Sequence, residues 1–130
     1  MKHDEFLARV RERGEYDDQK EAEQITLAVL GVLSSRITGG EAKDLAAQLP
    51  EPLDAPLRDQ HSGAAEHFGV KEFLSRVAEL TNARPRTAEW DASAVLSTLS
   101  DAISGGELNQ IISQLPSGYA PLFGKPELSD

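Results

Sequence analysis

A motif that occurs twice constrains this chain more than any other feature. Ile37-Thr38-Gly39-Gly40-Glu41, running on to Gln48-Leu49-Pro50, recurs 66 residues later as Ile103-Ser104-Gly105-Gly106-Glu107, running on to Gln114-Leu115-Pro116. Glu5-Phe6-Leu7 and Arg9-Val10 recur 67 residues on as Glu72-Phe73-Leu74 and Arg76-Val77. Self-similarity at a fixed spacing is the signature of a repeated structural unit. It predicts a tandem duplication with internal pseudo-twofold symmetry: repeat one over 3–57, a connector over 58–69 and repeat two over 70–123. A unit of about 65 residues buries too little surface to be robust alone, whereas two packed together make a core of ordinary size. One domain of 130 residues follows.

The repeated unit reads as three helices, so the fold class is all-α with six helices. Aromatic residues are only 5% of the chain, so Leu, Ile, Val and Ala must build the core, a composition that suits helices. Phe6, Leu7 and Val10 make an apolar stripe over 3–14, and Phe73, Leu74, Val77 and Leu80 make one over 70–81. Gly14 and Asn82 stand at the two ends. A longer helix over 18–36 carries Ile25, Ala28, Val29, Val32 and Leu33 at helical spacing, with Leu27 and Leu30 widening the apolar surface. That breadth marks it as the most buried helix. Its counterpart over 87–103 is less apolar, with Ser93 for Leu27, Thr98 for Val32 and Asp91 for Ile25. Third helices are predicted over 39–49 and 105–115, closed by Pro50 and Pro116. Ala55-Pro56-Leu57 and Ala120-Pro121-Leu122 then supply a short apolar anchor after each, and the residues from Lys125 to Asp130 are expected to fray.

The net charge of −9 is spread over both halves, with 14 acids and 8 bases in the first 67 residues and 8 acids and 5 bases in the rest. Nucleic acid needs clustered cations, and the closest approach, Arg9, Arg11 and Arg13, is interleaved with Glu12 and Glu15. These arginines read as a solvated helix face. The same charge opposes docking on anionic lipid, so neither nucleic acid nor membrane is an expected partner. The longest apolar run, Leu27 to Leu33, is far short of a membrane span. The charged start Met1-Lys2-His3-Asp4-Glu5 leads into no signal-peptide core, which points to the cytoplasm.

Few residues suggest chemistry. With no cysteine there is no thiolate nucleophile and no Cys-ligated metal. His3, His61 and His67 lack metal-ligand spacing and read as solvent-exposed. No pair of acids stands apart from the solvated background, and Asp17-Asp18 reads as the start of the second helix. No nucleophile elbow occurs. The expectation is therefore no catalytic residue, no cofactor and no metal. The Gly-Gly pairs lack the Lys of a phosphate loop. Instead Thr38-Gly-Gly-Glu41 and Ser104-Gly-Gly-Glu107 match the capping box, in which the hydroxyl accepts from the third residue and the Glu reaches back to the cap N–H. Gln48 and Gln114 read as hydrogen-bonding backbone at a helix end or between helices, with a polar cleft on the pseudo-axis as the alternative. Trp90, standing where the first half has Gln24, reads as a plug between the halves, with a binding anchor as the alternative.

The E-F-L opening, the long Ala/Leu/Val-rich helix, I-[ST]-G-G-E and Q-L-P, all present twice, resemble the bacterial DUF2267 family over about Phe6 to Phe123. The resemblance implies a duplicated all-helical protein in a bacterial stress or regulatory setting and carries over no catalytic residue. Together these readings predict a non-enzymatic protein-interaction module, a monomer or weak homodimer, whose groove for an unidentified protein partner is lined by Leu30, Trp90 and Leu96. The alternative is a protein binding a small apolar ligand between the two halves.

Overall fold

The computed structural model describes residues 1–58 and 64–124, the Pro85 side chain excepted. These residues are all-helical, with no strand among them. The elements are α1 (His3–Gly14), α2 (Gln19–Arg36), α3 (Gly39–Ala47), α4 (Ala55–Arg58), α5 (Val70–Thr81), α6 (Pro85–Ala102), α7 (Gly105–Ser113) and a 3-10 helix, η1 (Ser117–Phe123). The six expected helices are present within two residues of their predicted ends. Two more helical segments arise from the expected apolar anchors: burying Leu57 and Leu122 coils each short Pro-containing stretch into a turn or two of helix. The predicted fraying of Lys125 to Asp130, and His61, lie outside the described residues.

Most element contacts run in reciprocal pairs, although α3 also packs on α4 with no comparable contact, among the described residues, between α7 and η1. α1 packs on α2 and on α6, while α5 packs on α6 and on α2. α4 packs on α2 as η1 packs on α6, α2 meets α6, and α3 meets α7. The long helices are thus central. Val29, Leu30 and Leu33 of α2 and Val95, Leu96 and Leu99 of α6 are fully enclosed, with Phe6, Val10, Phe73 and Val77 from the first helix of each half. Thr26 and Thr98 are buried too, each donating its hydroxyl to the carbonyl four residues back, at 2.7 Å to Ala22 and 2.8 Å to Ala94. The loss of apolar character at Thr98 is therefore absorbed inside the helix. Arg13 reaches the same place from α1, donating to Ser97, Thr98 and Asp101, so it is a tie between α1 and α6 and not simply a solvated face.

The stretch before α5 is held by aromatic and cationic contacts. Arg36, buried at the end of α2, donates Nε to the Phe68 carbonyl at 2.8 Å, and the Tyr119 hydroxyl donates to the same oxygen at 2.9 Å. Arg76 lies 4.0 Å from the Phe68 ring centroid, and Tyr119 meets Phe73 edge to face.

The capping boxes close only halfway. Thr38 and Ser104 accept from Glu41 N and Glu107 N at 3.3 and 3.1 Å. The glutamates do not reach back. The Thr38 N–H instead donates to Gln114 Oε1 at 3.0 Å, and the Ser104 N–H donates to Gln48 Oε1 at 2.9 Å. Each Gln thus bonds backbone between helices, and each third-helix N-terminus is capped from the other half of the chain. Glu41 and Glu107, relieved of that role, turn inward. Gln48→Ala and Gln114→Ala should each cost about 1 kcal/mol, the worth of one such bond at a solvent-accessible N–H. Urea denaturation checks this, and Gln→Glu should not rescue, because a carboxylate there joins an already acidic site.

Candidate functional site

At the N-terminal ends of α2 and α6 the two halves part to form an open cleft of about 540 Å³. Its lining pairs positions 66 apart in the sequence: Glu21 with Thr87, and Ile25 with Asp91. Tyr16 and Gln24 complete one wall, and Leu80, Thr81 and Ala83, at the end of α5, complete the other. The volume falls within the range of about 300–1,000 Å³ usual for ligand sites.

Asp91, 66 residues after Ile25, gives the cleft its chemistry. Asp91 is only 3% exposed, and it accepts from the Tyr16 hydroxyl at 2.5 Å. Burial raises its carboxyl above the ordinary range; the Tyr16 bond acts the other way, and Glu21 adds a smaller upward push. The Tyr16 phenol is also pushed up, first by burial and then by its bond to Asp91, so it stays a donor at physiological pH. Local geometry fixes that donor. α1 ends at Gly14 and Glu15 turns left-handed at φ 56°, which swings Tyr16 back over the helix end. A Cβ on Gly14 would lie 2.1 Å from the Tyr16 ring, so glycine is needed there for close approach. Asn82 makes the equivalent left-handed turn after α5 at φ 55°.

Trp90 and Leu80 are the large apolar side chains left exposed among the described residues, at 51% and 63%. Trp90 is not a buried plug. Its indole N–H donates to the Gly14 carbonyl at 3.0 Å, joining α6 to the end of α1 while one face stays open. Leu80, expected on the core stripe of α5, sits instead on the cleft rim, one residue before the helix ends. Leu30 and Leu96 are fully buried in the core. The three residues predicted to line one groove are therefore not brought together: two hold α2 and α6 in the core, and only Trp90 reaches the surface. Burial of broad apolar helices is what makes them poor groove residues. Tyr16 escaped the sequence reading, although an acid at an apolar helix position signalled that some donor must meet it.

His3 is partly buried rather than exposed, with Nε2 3.0 Å from Glu23 Oε2, while His67 is exposed. At the far ends of α2 and α6, Glu41 and Glu107 face each other across α3 and α7. Burial first, then the Glu41 carboxyl and the Asp44 charge, push Glu107 from its ordinary 4.5 up to about 7.

The fold and cleft describe an all-helical protein with an acid-floored site and no helix, among the described residues, long and apolar enough to cross a membrane. The chain belongs to the DUF2267 family of uncharacterised conserved proteins, whose model matches residues 3–122. None of the curated proteins matches it significantly.

Two consequences are measurable. Tyr16→Phe should cost about 2 kcal/mol at neutral pH, the scale of a hydrogen bond to a buried charge, and much less in an Asp91→Asn background. Denaturation of the four proteins in that cycle checks the coupling. The raised Glu107 carboxyl binds its proton more tightly in the folded than in the unfolded chain, so its contribution to stability falls as pH rises from about 4.5 to about 7. Glu107→Gln should flatten that slope in denaturation curves taken across the window.

Proposed function

We propose that this protein is a non-enzymatic interaction module that receives a cationic side chain, Lys or Arg, of a protein partner in the cleft between its halves. The observation that carries this reading is the Asp91 carboxylate, buried in the cleft wall with the Tyr16 hydroxyl as its hydrogen-bond partner and Glu21 nearby. A guanidinium or ammonium would offset the desolvation that now raises the Asp91 carboxyl. Leu80 on the rim offers an apolar contact to the stem of such a side chain. A net charge of −9 would steer a basic partner toward the molecule. The setting we infer is the bacterial cytoplasm, in a stress-related or regulatory role.

This reading includes a tandem duplication with a pseudo-twofold axis passing near the cleft. The reciprocal helix contacts, the exchanged Gln48 and Gln114 bonds and the paired lining positions support it. On that view the site arose where the halves diverged, Asp91 replacing the apolar partner of Ile25.

A second reading has one specific support, the cleft volume of about 540 Å³, which suits a small molecule. The polar lining favours a protonated amine on a short apolar body over a wholly apolar ligand.

A short lysine peptide, its Nε-acetylated form and n-butylammonium, titrated against the labelled protein by NMR, test both. The lysine peptide should shift the amides of Ile25, Thr87 and Asp91 and the acetylated peptide should not. Asp91→Asn should weaken binding about tenfold, the equivalent of one charge-assisted bond. Binding of butylammonium equal to that of the peptide would favour the small-ligand reading. Silence from all three would reject both.

A further inference from the structure

A second site lies at the opposite ends of α2 and α6, where α3 and α7 begin. Glu41 and Glu107 are each only 8% exposed. Glu41 Oε1 and Glu107 Oε2 are fully buried and have no hydrogen-bond partner. Among the described residues no Lys or Arg forms an ion pair with either. Asp44, one turn beyond Glu41 on α3, adds a third carboxylate, and one oxygen from each of the three lies within 4.8 Å of the others. Buried acceptors without donors are costly, so native structures seldom leave them so.

Two occupants could satisfy these oxygens. A shared proton joins two carboxyls but leaves Asp44 outside the arrangement. A multivalent cation uses all three. We propose that Glu41, Asp44 and Glu107 form a divalent cation site bridging α3 and α7, with Ca²⁺ as its preferred occupant. The donors are all carboxylate oxygens, the set suited to hard cations rather than to zinc or copper. Ca²⁺ takes oxygen at about 2.3–2.6 Å in flexible geometry, so two ligands on opposite sides of the ion stand nearly 5 Å apart. The three oxygens lie within that limit of one another. Mg²⁺ demands near-ideal octahedral geometry and dehydrates reluctantly, so three carboxylates on two helices suit it less well. Asp44 is exposed, which leaves a side open for water to complete the coordination.

Such an ion would clamp the contact between α3 and α7 and hence the two halves of the chain. It would not touch the cleft, so this proposal is independent of the function proposed above.

The test is calorimetric titration of the full chain, stripped with chelator, with CaCl₂ and then MgCl₂ at constant ionic strength, together with thermal melts. One saturable Ca²⁺ site is expected, tighter than Mg²⁺, with a Tm rise on the order of 10 °C at a hundredfold excess over Kd. Glu41→Gln and Glu107→Gln should each weaken Ca²⁺ binding at least tenfold. Both variants should fold, because Gln keeps the shape of the side chain and removes like charge. No saturable heat up to about 10 mM of either ion would overturn the proposal, placing affinity beyond the weakest calcium modules. So would an unchanged response in both variants. A stabilised Glu107→Gln without any ion response in the parent would assign the pair to a shared proton and reject the cation site.

Discussion

Each Gly-Gly-Glu helix in this protein is capped by the other half of the chain, and the contact between α3 and α7 with its carboxylate cluster depends on that exchange. A helix N-terminus leaves backbone N–H groups without partners, and here a local Ser or Thr satisfies only one of them. The cap residue's own N–H is met by a Gln from across the molecule. Because the two bonds are reciprocal, the C-terminal end of each of α3 and α7 lies against the N-terminal end of the other, so the two helices meet antiparallel. That juxtaposition brings Glu41 and Glu107 together and enforces a buried meeting of like charges.

The opposite end of the long helices shows a different balance. There the halves do not cap one another, and the cleft opens between them. What holds it is a chain of local events. Gly14 lets the Tyr16 ring lie against the helix end, a left-handed Glu15 directs it, and the Tyr16 hydroxyl meets Asp91. Trp90, the preceding residue in α6, bonds the Gly14 carbonyl and locks the same corner. The Asp91 carboxylate gives this corner its polarity. The two ends therefore present acid in two forms: a buried carboxylate with one donor and Glu21 nearby in the cleft, and a three-carboxylate group with unmet oxygens at the α3–α7 contact.

Much of this was legible in the residues. Helix positions followed from apolar spacing, caps and proline because those rules act within a few residues along the chain. The all-helical class followed from the same local signals. The short α4 and η1 were visible only as apolar anchors, since a helix of one or two turns has too few residues to display a period. Leu30 and Leu96 illustrate the limit. Their helical faces could be drawn from sequence, but whether a broad apolar face is a groove or a core depends on what packs over it. Leu80 shows the opposite case: its spacing is that of a core residue, yet it stands exposed on the cleft rim.

By itself the sequence determined the helices, their order, the hydroxyl caps and the pairing of like motifs, all properties carried by neighbours in the chain. The tertiary structure alone decided which glutamine caps which helix, that Glu41 and Glu107 face inward, and that Tyr16 meets Asp91. Those contacts join residues 56 to 76 positions apart. They form only when both halves have packed, because no rule of local spacing specifies which surfaces meet.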